Sequence, residues 1–358
     1  MFGTGEPRLP AISNELRSWS DEIRKAIDSN RIYTDVVELP TPRNRIDFPE
    51  AMLQADDMIL EKLIGAGWAA EKHPFVFENI KGVEDISPET EAFSTGEFPW
   101  KVYDRLEGAN LVAVKKGTDD PQKAIVVIGH SDTVKASPGA NDNTVSVAAI
   151  IELARVIESF QFRNSVILAM PDMEELYFIG AKALVRDLLE SYEIQGVINY
   201  ETMGYTTTEP GSQVVPQGLD LLYGRQMKRI KDNEFKGDFT CLIYNGAAMA
   251  LTSMMAASLD YCIGKRSTIV LRDPNDLPVI GKILGVLVPM VRNFSRSDHV
   301  LFWDEGIAAL QVTDTANFRY QHYHQPTDTP EKIDYTRVAD IVAATALVIA
   351  ETVELIQE

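Results

Sequence analysis

Between residues 9 and 30, apolar side chains recur at Ile12, Leu16, Trp19, Ile23 and Ile27, three or four positions apart. That period gives a helix one apolar stripe, so a helix is predicted over 9–30. A second amphipathic helix is predicted over 50–66, with Pro49 suited to its start and Gly65 and Gly67 to its end. Strand-like runs follow at 74–77 and 110–114. From residue 124 the pattern alternates: an apolar run at 124–129, a helical pattern at 145–160, an apolar run at 165–170, a helical pattern at 179–192, and a third strand starting at 196–199. Short, fully apolar strands separated by helices indicate a sheet buried on both faces. The predicted class is α/β, a three-layer αβα arrangement around a mixed, largely parallel central sheet. Beyond Glu201 the pattern is less regular. Strands are predicted at 219–223, 239–244 and 307–313, and helices at 247–262, 279–291 and 335–356. No repeat, low-complexity tract or clear linker interrupts the chain, so 1–358 is expected to be one domain, with a helical N-terminal segment at 1–66 and a cap or insertion at 205–294.

Composition narrows the function. The 358 residues are 45% hydrophobic, enough for a large core. A formal net charge of −19 repels phosphate backbones and anionic lipid, so neither nucleic acid nor a membrane surface is an expected partner. No run reaches the roughly 18 apolar residues of a membrane span. Residues 1–29 lack the apolar core and small-residue cleavage site of a signal peptide, so a cytoplasmic location is expected; a secreted chain already relieved of its leader would read the same way. Cys241 and Cys262 are too few for a disulfide scaffold and are expected to be buried thiols.

The residues that carry chemistry stand just after predicted strands, where open α/β sheets bind ligands. His130 and Asp132 follow the run at 124–129. Residues two apart in an extended segment point the same way, so Asp132 could accept the ring N–H of His130 and fix its tautomer. Asp142 lies in Gly139-Ala140-Asn141-Asp142-Asn143, a tight turn ahead of a helix. A helix cap would explain Asn141 or Asp142 alone but not the whole run. The two oxygens of Asp142 can bridge two cations. Glu174 and Glu175 follow the 165–170 strand. Alone the pair would read as a solvated acidic turn; between other candidate ligands it offers one ligand and one general base. Glu201 follows the third strand, and His324 comes after the strand at 307–313, with His322 an alternative ligand two residues away. His299 is expected to be structural, and His73 has no assigned role. Together these side chains supply oxygen and nitrogen ligands for two cations and a spare carboxylate, as metal-assisted hydrolysis requires.

In order and spacing, Gly129-His130-Ser131-Asp132, the 138–143 turn, Glu174-Glu175, Arg296-Ser297-Asp298-His299 and the 323–329 run resemble the co-catalytic zinc aminopeptidases of the bacterial and archaeal leucyl-aminopeptidase type, in peptidase family M28. The similarity runs from about Asn110 to the C-terminus. The resemblance implies a zinc-peptidase-like fold and two divalent ions, zinc first, with manganese or cobalt also suited to the ligands. It implies His130 on one ion and His324 on the other, Asp142 between them, and Glu175 and Glu201 each completing the shell of one of the two ions. It implies Glu174 as general base, Tyr323 as the hydroxyl that stabilises the oxyanion, and Arg296 as an aid in seating a peptide substrate. Glu201 departs from the aspartate usual at its position but keeps a carboxylate at zinc-binding reach. The expected activity is hydrolysis of the N-terminal peptide bond. Rival readings are a single-zinc glutaminyl cyclase of the same fold, a carboxypeptidase or deacylase, and a non-enzymatic peptide-binding relative. The pattern leaves the preferred N-terminal residue and the oligomeric state open.

Overall fold

A computed structural model of the chain describes residues 6–84, 86, 98–277 and 289–356. Its strands are β1 (Ala69–Val83), β2 (Trp100–Lys115), β3 (Asp120–Ile128), β4 (Gln161–Phe162), β5 (Asn164–Met170), β6 (Glu193–Tyr200), β7 (Thr240–Tyr244), β8 (Thr268–Arg272), β9 (Ala309–Thr313) and β10 (Leu355–Ile356). Among the described residues, eight of them form one sheet in the order β1-β2-β5-β3-β6-β9-β7-β8, and β10 pairs with β4. The sheet is mixed. Its centre, β5-β3-β6-β9, is parallel, as is β7-β8; β1-β2, β2-β5 and β9-β7 are antiparallel.

Alternation along the central strands accounts for the layers. Ile125 and Val127 face one side, where they pack with helices Pro49–Gly65, Val145–Ile157, Met249–Cys262 and Tyr335–Thr352. Ala124, Val126 and Ile128 face the other, under helices Ile179–Ser191 and His299–Asp304. Val166–Met170 is fully buried, as a strand covered on both faces must be. Leu168→Ala there would cost about 2–5 kcal/mol through lost transfer energy and a cavity. Among the described residues no helix is long and apolar enough to cross a membrane.

Several predicted elements take a different form. The helix expected over 9–30 is two helices, Asn14–Ala26 and Ser29–Glu38, because Asp28 caps the second by accepting the N–H of Asn30 at 2.8 Å. The short strands expected at 74–77 and 110–114 are parts of a long ribbon, 15 and 16 residues per strand, whose exposed positions hid its length. The strand expected at 219–223 is a helical turn, Leu219–Leu222, that buries Leu219; so short an apolar run does not fix its own period. Strand β8 and helix His299–Asp304 had no clear periodic signal. The last helix stops at Thr352, before β10. Most of the helix expected at 279–291 lies outside the described residues.

Candidate metal centre

Because β3, β5 and β6 run parallel, their carboxyl ends meet at one rim, and each delivers an acidic or histidine-bearing turn there. His130 follows β3, Glu174 and Glu175 follow β5, and Glu201 follows β6. The 139–144 turn brings Asp142 between them. Its Oδ1 lies 3.2 Å from Nε2 of His130, and its Oδ2 lies 3.0 Å from Nε2 of His324. Glu201 Oε2 is 3.5 Å from the same nitrogen of His130, and Glu175 Oε2 is 3.5 Å from that of His324. Glu174 Oε2 stands farther back, 3.9 Å from His130 Nε2. All six side chains are buried.

Two sets of potential ligand atoms therefore share Asp142: His130, Asp142 and Glu201, and His324, Asp142 and Glu175. In a third set, His130, Glu174 and Glu175 converge. Asp142 Oδ2, Glu175 Oε1 and His324 Nε2 make no hydrogen bond to any described residue, although His324 Nε2 and Asp142 Oδ2 are only 3.0 Å apart. Their close approach lacks hydrogen-bond geometry, as expected of lone pairs aimed at a common cation. Burial, which the positive charge of His130 partly opposes, raises the carboxyls of Glu174, Glu175 and Glu201 above the usual range, and repulsion among the acids adds to this. Burial works against a charged His130, yet the surrounding Glu174 and Glu201 carboxylates hold its pKa well above the ordinary histidine value. Burial likewise opposes ionisation of Asp142, but the hydrogen bond with His130 and the close approach of His324 keep its carboxyl well below the usual range. So dense a set of buried acids calls for positive charge among them. Nitrogen and carboxylate donors of this kind suit divalent transition metals.

The backbone that presents these groups is held tightly. Met173, Thr202 and His324 all adopt positive φ, at 54°, 44° and 58°, an unfavourable state for side-chain-bearing residues that clusters at functional sites. Gly139 has φ +66°, and a Cβ there would meet Thr133 Cγ2 at 2.4 Å and the Asp142 carbonyl at 2.5 Å. Asp132 contacts His130 Nδ1 mainly through its backbone carbonyl, at 3.1 Å, with Oδ1 at 3.4 Å. Its carboxylate has another task, accepting the N–H groups of Glu174 and Glu175 at 3.1 and 3.2 Å. His322 turns to Thr327 Oγ1, 2.8 Å away, and joins none of the three sets; His324 does. His299 is buried, with Nε2 3.0 Å from the Phe294 carbonyl, and burial lowers its pKa to about 4. His73 sits on β1, 3.5 Å from Glu71.

Tyr323 stacks on His324 with ring centroids 3.8 Å apart, and Arg296 Nη2 reaches its hydroxyl at 3.5 Å. Glu174, Glu175, Glu201, Arg296 and Tyr323 line one opening, with Phe98, Tyr177 and Phe178 on its wall.

Some residues at the site carried little signal in the sequence. Ser297 donates to Glu201 Oε2 at 2.7 Å and receives Asn199 Nδ2 at 2.7 Å. Asp298 is buried without a hydrogen-bond partner for its carboxylate among the described residues. Burial pushes its pKa up to about 8, opposed by His130 and reinforced by Glu201 and Asp132. Asp328 accepts the N–H of Asn141 on one oxygen and that of Asp142 on the other. Arg43, fully buried, donates to the Ser131 carbonyl at 2.6 Å and to Thr144 Oγ1 at 3.0 Å, tying the N-terminal segment to both turns. The shared motifs contained Ser297, Asp298 and Asp328, but only their contacts show what they hold.

Residues 110–236 and 282–349, more than half of the chain, match the family model described as peptidase family M28, and the chain belongs to that family. It is 26% identical over 250 residues to the Escherichia coli uncharacterized protein YfbL, covering 65% of this chain and 68% of that one. It is 23% identical over 250 residues to a probable zinc metalloprotease of Leptosphaeria maculans, covering 65% of this chain and 52% of the relative, so it spans about half of that protein's length. In fold it is similar to an aminopeptidase from Aneurinibacillus sp. strain AM-1, with TM-score 0.63, 15% identity, and 93% and 96% of the two chains covered. It is also similar in fold to a Fimbriiglobus ruber glutaminyl cyclase, with TM-score 0.60, 16% identity, and 90% and 95% covered.

Proposed function

We propose that the protein is a metallo-aminopeptidase that holds two divalent cations, zinc first, and hydrolyses the N-terminal peptide bond of peptides. One observation carries this reading: the two oxygens of Asp142 each face a different histidine, and each histidine has its own glutamate. His130, Asp142 and Glu201 would hold one ion, and His324, Asp142 and Glu175 the other. Relatives named as zinc metalloprotease and aminopeptidase support zinc and the reaction class. When bound, such ions polarise a carbonyl and make water acidic enough to be deprotonated near neutral pH.

The chain's own groups supply the remaining steps. Glu174 belongs to neither set that shares Asp142, yet its buried carboxylate reaches the same opening, as a general base must. It takes a proton from the attacking water and returns it to the leaving amine. Tyr323 directs its hydroxyl at the charge that develops on the carbonyl oxygen, and Arg296 steadies that ring. The substrate's ammonium group sits beside the acidic cluster, which favours attack from the amino end.

Elemental analysis of the purified protein, with turnover of aminoacyl 4-nitroanilides, tests the proposal. Two ions per chain and release of nitroaniline are expected. One ion per chain with cyclisation of an N-terminal glutamine would establish the glutaminyl cyclase reading instead. His130 facing Asp142 Oδ1 favours two ions.

A further inference from the structure

Residues 39–48 join helices Ser29–Glu38 and Pro49–Gly65 and lie across the loop that connects His130 to Asp142. Between those two proposed ligands, residues 131–139 form no helix or strand, and Lys135 and Ala136 are exposed. The connecting chain by itself therefore does little to fix how far His130 stands from Asp142. The 39–48 segment spans the gap. The Thr133 N–H donates to the Arg43 carbonyl at 2.8 Å, and the Arg43 N–H to Thr133 Oγ1 at 3.0 Å. Asn44 Nδ2 donates to the Thr133 carbonyl at 3.2 Å, the Thr41 hydroxyl to the Pro138 carbonyl, and Lys135 pairs with Asp47 at 2.7 Å.

Arg43 makes the crossing rigid. Its side chain is fully buried; Nε donates to the Ser131 carbonyl at 2.6 Å, beside His130, and Nη2 to Thr144 Oγ1 at 3.0 Å, two residues from Asp142. Both donors sit on one edge of a flat group, so the two acceptors are held at one spacing. Thr144 Oγ1 in turn donates to the Gly139 carbonyl at 2.6 Å, which closes the turn around Asp142. Arg45 reaches a third turn: Nε donates to Asp172 Oδ2 at 2.6 Å, two residues before Glu174, and Nη2 to Asp56 Oδ2 at 2.7 Å on helix Pro49–Gly65. Both arginines precede residue 110, where the match to the family model begins, so the matched stretches do not contain this clasp.

We propose that Arg43 is a positioning residue for the metal centre: by fixing the gap between the turns at 129–134 and 139–144 it sets the spacing of His130 and Asp142, and so the affinity for the ion that they hold with Glu201. This rests on the two-ion reading above. Charge and geometry make opposite predictions for Arg43. A guanidinium near the centre repels a divalent cation, so if charge alone mattered its removal would tighten metal binding. If spacing matters, its removal weakens binding, because the ligands are no longer held in place for the ion. Lysine separates the two effects further. It keeps the charge but, as a point donor, lacks the planar fork that engages both acceptors.

The test titrates the metal-free, full-length protein with cobalt(II), followed by the visible absorption of the bound ion, so no turnover is needed. Wild type should bind two ions. Arg43→Lys and Arg43→Gln should both bind one of them about 10- to 100-fold more weakly, with a smaller loss at the other. His324→Ala, which leaves the His130 position intact, assigns the affected ion: adding Arg43→Lys should weaken its remaining ion by the same factor. Thr144→Val removes one acceptor and keeps the side chain's shape; it should reproduce part of the loss, and it decides the matter if the Arg43 variants do not fold. A purely structural role would lower the Tm of the metal-free protein and leave both cobalt affinities unchanged. That result, or tighter binding by Arg43→Gln, would overturn the proposal and leave the two-ion reading intact. If wild type binds fewer than two ions, that reading falls, and hydrogen exchange of the metal-free protein decides the positioning role separately. Faster exchange of the bonded N–H groups of Ser131, Thr133, Asp142 and Thr144 in Arg43→Lys, with helix Val145–Ile157 unchanged, supports it, and unchanged exchange overturns it.

Discussion

Asp328 grips the backbone of Asp142: its Oδ2 accepts the Asp142 N–H at 3.2 Å, deep in the protein. Its Oδ1 takes the Asn141 N–H at 2.9 Å and the Tyr320 hydroxyl at 2.7 Å. The side chain that lies between two histidines is thereby fixed from the segment that carries one of them. Asp132 does the same for Glu174 and Glu175. Two buried carboxylates that touch neither proposed ion thus set the positions of three that are proposed to serve at the centre.

Asp328→Asn is expected to weaken metal binding about 10- to 100-fold, the usual cost of losing a group that orients ligands. The amide can replace one acceptor oxygen but turns an N–H toward a backbone N–H at the other. Competition against a chelator of known affinity measures the change. Unchanged affinity would mean that the 139–144 turn holds Asp142 without help.

Glu174→Gln should leave metal content intact and lower kcat by at least about 100-fold, since the amide cannot accept the water's proton. The decisive comparison is metal per chain against rate in the same preparation. A variant that keeps wild-type turnover removes Glu174 from the role of base.

Asp142→Ala should reduce occupancy at both metal positions together, and chelation of the wild-type protein should lower its Tm, because ions bound only by the folded state stabilise it. Elemental analysis and thermal melts report the two effects. Loss of one ion with full retention of the other would contradict a shared ligand.

Tyr323→Phe removes one hydroxyl and keeps the ring stacked on His324. If that hydroxyl supports the developing charge, kcat should fall about 100-fold with little change in KM. A change confined to KM would make Tyr323 a substrate contact only.

His299 gives a pH dependence that does not involve the metal ligands. Burial holds its folded pKa at about 4, below the ordinary histidine value of about 6.5. Between those values the unfolded chain binds a proton that the folded chain does not. Stability should therefore be complete above about pH 6.5 and fall as the pH drops toward 4, by at most about 3 kcal/mol from this residue. Denaturant melts of the wild type and His299→Gln across that window measure it. Parallel pH curves would show that His299 is not the group responsible.

The legible part of the fold was the part ruled by short-range pattern. The apolar runs ending at Ile128 and Met170, and the helical pattern at 179–192, identified the parallel centre because strands buried on both faces leave an unbroken hydrophobic signature. The long β1-β2 ribbon was read only in fragments, since its projecting positions alternate with exposed side chains whose identity is free to vary. Leu219–Leu222 was misread because four residues cannot distinguish one period from another. At the site, His130, Asp142, Glu174, Glu175, Glu201 and His324 were legible from their order after strands. Arg43 was not, since an arginine early in the chain carries no mark of the two distant turns that it joins.

From residue types and spacing alone came the α/β class, the acids and histidines at strand ends, and their order along the chain. These follow from local periodicity and ligand chemistry, which each segment carries by itself. Only the folded chain decided which glutamate stands with which histidine on either side of Asp142, and that Asp132 and Asp328 hold the neighbouring turns. Such relations join segments up to 187 residues apart, as Asn141 and Asp328 are. They arise when distant strands pack at a common rim, and no local pattern encodes which segments will meet there.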